Sequence, residues 1–356
     1  MKFTALILLL LICFTASAQI TDSTTLIPEE EEYYDNLSFA DGNAKRFCTS
    51  KIFDLSPQKL ISIGYDFQGG YEINSDTIGT YAPTTVRTNY SQGLRLMANI
   101  PVISRNNIIV QLGANYLEQR YQIDNTPSDN LLSTNLSRNG LRSTGLNTTI
   151  FKPLNERNFI IAQASADLNG DYGFNTIPSL RLLRYSGAAI FGWKTGDRRM
   201  FGVGLSRTYR VGEMNYIPII LWNWTSLNRK WGTEVLFPAR AHIRRTINSR
   251  NMFFVGYELE GNSYKINSRN TLPSDFDNLE IRRSELRFRT MYEFSLYQFI
   301  WLSVQTGFRY NYGFNVDDVS GGNEFFRGFF GNQPYAMINT IGNTFYALVS
   351  INVVSP

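Results

Sequence analysis

Residues 283–312 alternate apolar and polar side chains with a period of two. Leu286, Phe288, Thr290, Tyr292 and Phe294 interleave with Glu285, Arg287, Arg289, Met291 and Glu293. After a tight turn, Ile300, Leu302, Val304, Thr306, Phe308, Tyr310 and Tyr312 interleave with Ser303, Gln305, Gly307, Arg309 and Asn311. Successive side chains of a strand point to opposite faces, so each strand carries one apolar face and one wet, charged face. The alternation outlasts an ordinary soluble strand and is long enough to cross a bilayer at a tilt.

The same period recurs along most of the chain. Ile61, Ile63, Tyr65 and Phe67 alternate with Ser62, Gly64, Asp66 and Gln68. Tyr90, Leu94, Leu96 and Ala98 oppose Arg87, Asn89, Ser91, Gly93 and Arg95. Further strands are predicted near residues 108–121, 141–151, 158–169, 182–194, 199–211, 216–226, 252–262 and 345–354. Residues 231–247 read as two short strands hinged at Pro238, because proline disfavours the interior of a sheet. Short connections at 101–107, 152–157, 195–198, 227–230 and 248–251 interleave with long polar ones such as 122–139, 263–278 and 313–333. Transmembrane barrels show this ordering, with short turns at the periplasmic face and long loops at the outer face. The predicted fold class is all-β: a transmembrane antiparallel up-and-down β-barrel of about fourteen strands, with about twelve as the alternative count.

The N-terminus carries the marks of a secretory signal peptide. Lys2 supplies the positive start, residues 5–12 a short apolar core, and Ala16-Ser17-Ala18 a small-residue cleavage motif. Residues 1–18 are therefore expected to be removed, with cleavage after Ala18. Residues 19–57 read as a polar periplasmic segment with an acidic run at 29–32, and residues 58–356 as the barrel domain. No later stretch offers the roughly 20 apolar residues of a transmembrane helix. The densest, 217–224, is broken by Pro218 and Asn223. Crossing a membrane then falls to strands that close their backbone hydrogen bonds in a barrel. Cys13 leaves with the leader, so Cys48 has no intrachain partner in the mature chain.

With these features the chain resembles Gram-negative outer-membrane β-barrel proteins, and among them the uncharacterised single-barrel families. The resemblance covers roughly residues 59–356 and rests on the leader, the dyad strands and the turn–loop alternation. It implies an outer-membrane location, contact with outer-membrane lipid, and recognition by the barrel-assembly machinery during biogenesis. One feature departs from the pattern. Such barrels often end on an aromatic residue, whereas this chain ends Ile351-Asn352-Val353-Val354-Ser355-Pro356.

Charge and candidate chemistry narrow the functional classes. The net charge of +4 comes from bases scattered among acids, so no nucleic-acid partner is expected. One histidine and one mature cysteine cannot build a common zinc site, and Asp317, Asp318, Asn323 and Glu324 lack the spacing of a calcium loop. No cofactor, metal site or catalytic residue is expected. Arg87, Arg95, Arg240, His242, Arg244, Glu258, Glu285, Arg287, Arg289 and Arg309 fall on polar strand faces and are the candidate lumen-lining residues. Bare charge in hydrocarbon is costly, so these side chains belong inside the barrel or near a rim. Two arrangements fit them: acids and arginines paired in a rigid interior, or an arginine-lined passage favouring a small anionic solute. The Tyr and Trp residues of the strands, Trp301 and Tyr346 among them, read mostly as interfacial girdles. The expected function is non-enzymatic: a narrow passive channel for small solutes, or a structural barrel. The alternatives are an adhesion barrel acting through outer loops and a lipid hydrolase using His242, oriented by Glu234 or Glu258.

Overall fold

The computed structural model describes residues 46–77, 82–124, 130–173, 183–209, 215–270, 272–320 and 335–355. The expected signal peptide, the acidic run and the Phe-rich stretch 325–330 lie outside the described residues. Among those described, sixteen strands run in chain order: β1 (Lys59–Gln68), β2 (Tyr71–Ser75), β3 (Thr84–Arg105), β4 (Ile108–Ile123), β5 (Leu141–Pro153), β6 (Asn158–Gly170), β7 (Leu183–Gly196), β8 (Arg199–Thr208), β9 (Asn215–Thr225), β10 (Trp231–Phe237), β11 (Arg240–Asn248), β12 (Asn251–Lys265), β13 (Leu279–Tyr297), β14 (Ile300–Asp318), β15 (Asn339–Ile341) and β16 (Thr344–Val354). One α-helix among the described residues, α1, spans Leu131–Asn139.

β1 pairs antiparallel with both β16 and β3, which closes the sheet into a barrel. β1 and β2 share one position in the wall, interrupted at Gly69 and Gly70; β15 and β16 share another, interrupted at Gly342 and Asn343. The wall thus has fourteen positions, as the alternation of turns and loops predicts. β10 and β11 are separate strands joined across Pro238 and Ala239, and the Phe237–Pro238 peptide is cis. Gly93 marks a close approach within this wall, since a Cβ there would overlap the Glu118 carbonyl.

The dyad pattern sorts the side chains as the sequence indicates. On β1, Ile61, Ile63, Tyr65 and Phe67 are exposed on the outside while Asp66 and Gln68 are buried inside. On β16, Phe345, Val349 and Ile351 are exposed and Tyr346, Ser350 and Asn352 buried. Phe201, Val203 and Leu205 of β8 and Phe288, Tyr292 and Val304 of β13 and β14 extend the exposed apolar belt. An apolar belt this continuous on a folded surface is matched to lipid, not to water. Trp301 and Tyr346 depart from the girdle expectation: both are buried on the inner face.

β-bulges redirect the pattern toward the long-loop end. The register slips between Thr88 and Tyr90, so inner positions switch from Ser91 and Gly93 to Thr88 and Val86. A second slip opposite Ser284 and Glu285 switches β14 from Arg309 to Phe314 and Val316. One extra residue reverses every later side chain on a strand. Above these slips the strands also run further than the sequence predicts, with β12 reaching Lys265, β13 starting at Leu279 and β14 ending at Asp318.

The extended strands build an outer tier. β12 crosses above five intervening strands and pairs in parallel with β6 at Lys265 and Gly170. Buried Asp171 holds this seam by accepting from the backbone N–H groups of Asn267 (2.9 Å) and Ser268 (2.8 Å) and from Asn135 Nδ2 (2.7 Å). The tier is filled with apolar side chains, including Ile73, Val86, Ile123, Leu136, Ile266, Ile281, Phe314 and Val316. The polar loop expected at 122–139 in fact contains α1. Asn130 caps it by accepting from the Ser133 N–H (2.9 Å), and Leu132 and Leu136, one turn apart, enter the apolar core. Two leucines among Ser, Thr, Asn and Arg give too weak a helical period to read unaided.

Replacing Asp171 with Ala removes the acceptor of three hydrogen bonds at the seam. The expected result is a loss of roughly 3 kcal/mol or more in urea unfolding of the detergent-folded barrel, with faster proteolysis of residues 266–278. An unchanged midpoint would show that the seam does not hold the outer tier.

Candidate functional site

The interior divides into two halves of different character. On the side built by β1, β3 and β12–β14, charged side chains interlock. Arg287 contacts Glu285 (2.5 Å), Asp66 (2.7 Å) and Glu260 (2.9 Å), and its guanidinium stands over the Tyr346 ring. Arg95 bonds Asp66 (2.6 Å) and Glu260 (2.8 Å). Arg283 bonds Glu285 (2.5 Å), and Arg309 reaches Gln68 and stands 3.7 Å from Glu285. Toward the short-turn end, Arg289 pairs with Glu258 and donates from Nε to His242 Nε2 (2.9 Å). Below them Glu293 accepts from Lys59 (2.6 Å) and Ser303 (2.8 Å). Charges buried in this way are tolerable only when paired and hydrogen-bonded, which is what the strand register provides.

The opposite half holds a polar chamber. Asn99, Asn115, Asn147, Gln163, Ser165 and Asp167 sit on the inner faces of β3–β6, and all are partly or fully open to solvent. Asn115 Nδ2 lies 3.4 Å and Ser165 Oγ 3.0 Å from the Asp167 carboxylate. Gly113 and Gly145 make room for this convergence, since a Cβ at either would collide with the facing amides or with Asp167.

The short-turn end of that half is covered by residues 46–57, which the sequence reads as part of a polar periplasmic segment. The Cys48 N–H donates to Asn155 O (3.0 Å) and the Phe53 N–H to Asp197 O (2.7 Å), tying the segment to the turns after β5 and β7. Lys194 donates to Thr49 Oγ1 (2.5 Å) and Lys51 O (2.9 Å), and Thr225 to Phe53 O (2.7 Å). Ser56 donates through both N and Oγ to Glu234, whose Oε1 also receives Arg244 Nη1 (2.7 Å). Cys48 and Ile52 pack against Phe159, Met200, Ile219 and Leu221. Burial pushes the Cys48 thiol above its ordinary pKa despite the nearby Lys194 charge.

The candidate lumen residues are thus placed individually. Arg95, His242, Arg244, Glu258, Glu285, Arg287, Arg289 and Arg309 point inward and are paired. Arg87 does not line the lumen: the bulge at Thr88 and Tyr90 turns it outward, leaving it exposed opposite buried Val86 and Thr88. Arg240 is exposed beside the two-residue turn between β10 and β11. Arg283, absent from the candidate set, belongs to the network; it continues the odd-numbered face of Glu285 and Arg287. His242 has Arg289 at Nε2 and the Phe254 ring at its side, and Glu234 is engaged by Arg244 and Ser56.

Removing the Glu285 charge by Glu285→Gln leaves Arg283 and Arg287 facing a neutral amide. We expect a loss of about 3–5 kcal/mol in denaturant unfolding, seen as a lowered midpoint. Separately, Cys48 should react with a maleimide far more slowly in the folded barrel than in urea; equal rates would mean that residues 46–57 are not seated.

A family model described as "Domain of unknown function (DUF6268)" matches residues 85–350. No curated protein matches the chain. Among solved structures it is similar to a Pseudomonas aeruginosa FadL homologue at 9% identity and a TM-score of 0.39, over 83% of this chain and 90% of that one. It is similar to an outer membrane channel from Pseudomonas putida F1 at 9% identity and a TM-score of 0.36, over 85% and 97%. The toluene transporter TodX of P. putida aligns at 8% identity and a TM-score of 0.35, over 84% and 91%. Likenesses of this degree bear on neither solute nor mechanism.

Proposed function

The chain belongs to the family described as a domain of unknown function, DUF6268, and from its interior we propose a passive, non-enzymatic outer-membrane barrel that admits small polar solutes. The outward apolar belt and the N-terminal leader support the location. The observation that carries the reading is the chamber of β3–β6, where inward amide and carboxylate side chains remain open to solvent between two filled regions. The outer tier fills one region with apolar side chains, and residues 46–57 cover the other at the periplasmic mouth. Passage is then limited by the covering segment.

The paired interior argues against a passage lined by bare arginine. Arg95, Arg287 and Arg289 each meet carboxylates, so they present little uncompensated positive charge to a solute. Selectivity for anions should accordingly be weak. A hydrolase reading is disfavoured by His242, whose Nε2 lone pair is taken by Arg289 and so is not placed to accept a nucleophile's proton.

The test is planar-bilayer conductance of the purified mature chain beside a variant lacking residues 46–57. Small, infrequent steps for the whole chain and larger steady steps for the variant support a covered channel. Confirmed insertion with no steps from either protein would sink the channel reading in favour of a structural barrel.

A further inference from the structure

Between the ion-paired network and the apolar outer tier lies a band of buried polar groups that the channel reading does not use. Arg309 is 0% exposed and Arg283 4%, and both point inward from β14 and β13. Tyr71 and Tyr121 approach them from β2 and β4, and Thr88, buried on β3, pairs with Tyr71 in the sheet. The Arg309 guanidinium stands over the Tyr71 ring at 4.5 Å, and Tyr121 lies within electrostatic reach of Arg283, Arg309 and Tyr71. The Tyr71, Thr88 and Tyr121 hydroxyls, Arg283 Nε, and Arg309 Nε and Nη2 are all buried without a hydrogen-bond partner among the described residues. Every one of these six groups can donate a hydrogen bond, and four side chains from different strands supply all but one of them.

The charge of the network points the same way. Four guanidinia, of Arg95, Arg283, Arg287 and Arg309, share three carboxylates, of Asp66, Glu260 and Glu285. One positive charge is left over. Glu285 serves three of the arginines at once, and Arg309 is the most distant from it, at 3.7 Å. A buried charge without a counter-charge is expensive, and so is a set of buried donors without acceptors. A single monovalent anion answers both demands.

We propose that Arg283, Arg309, Tyr71, Thr88 and Tyr121 form a buried binding site for one small monovalent anion, either a halide or the carboxylate of a small solute. The site is structural in position, sealed beneath the apolar tier, and does not depend on conduction through the chamber. Arg309 and Arg283 supply charge-assisted hydrogen bonds, and the three hydroxyls complete the shell.

The experiment uses the full folded barrel in detergent, in sodium HEPES at fixed ionic strength, an electrolyte with neither a halide nor a carboxylate. Bromide and formate are the two probes, the first for a halide and the second for a carboxylate. Titration of either should raise the thermal unfolding midpoint in a saturable way, and the probe that does so identifies the source. Crystals grown in bromide should show an anomalous peak within hydrogen-bond distance of Arg309. Tyr121→Phe and Thr88→Val each remove one hydroxyl while keeping shape closely, and each should weaken binding about tenfold. Arg309→Gln should abolish it; if that variant fails to fold, the two hydroxyl variants and the wild-type bromide map still decide. No anomalous peak at Arg309, with equal midpoints in HEPES alone, bromide and formate, would mean that the band holds water only and would overturn the proposal. An unchanged bromide titration in both hydroxyl variants would overturn this assignment of the site as well.

Discussion

The structure depends on the closure of one sheet. In hydrocarbon a strand edge has no water to satisfy its N–H and C=O groups, so first and last strands must find each other. β1 does so by pairing with β16 on one side and β3 on the other. Once the wall is closed, the side-chain dyad has only two destinations. The outside takes Ile, Val, Leu and Phe; the inside takes whatever lipid cannot accept. Arginines and carboxylates are thereby concentrated in a confined interior, and their pairing follows from that concentration as much as from any individual contact.

Filling is uneven because the wall is uneven. β3, β13 and β14 are long, whereas β10 and β11 are short and joined by two residues. The long strands rise past the short ones and curl until β12 meets β6. The outer tier is filled by side chains, and α1 adds Leu132 and Leu136 to that core. The lower tier is filled less evenly. It holds the ion network on one side and the chamber on the other, with residues 46–57 drawn into its mouth. Polar and apolar interiors therefore stack along the barrel axis.

Bulges convert one tier into the next. Below the slip at Thr88 and Tyr90, β3 presents Ser91 and Arg95 inward; above it, Thr88 and Val86. β14 makes the same change between Arg309 and Phe314. The exchange of a polar lining for an apolar core thus costs one residue per strand and no change in strand direction. It also explains why the buried donors of Tyr71, Thr88, Tyr121 and Arg309 gather at a single level. That level is the boundary where the polar lining ends and the apolar core begins.

The sequence by itself determined the barrel, its fourteen wall positions and the inward placement of Glu285, Arg287, Arg289, Arg309, His242 and Arg244. Each is a property of local period: alternation assigns faces, and Pro238 divides two strands because it cannot serve a sheet interior. Tertiary structure decided the rest. The outward turn of Arg87, the addition of Arg283 to the network, the burial of Trp301 and Tyr346, the helix α1 and the docking of residues 46–57 depend on groups distant in the chain. A bulge is fixed by the partner strand, an ion pair by register across the wall, and a docked segment by the cavity that receives it. None of these leaves a period in the sequence, so only the closed wall could reveal them.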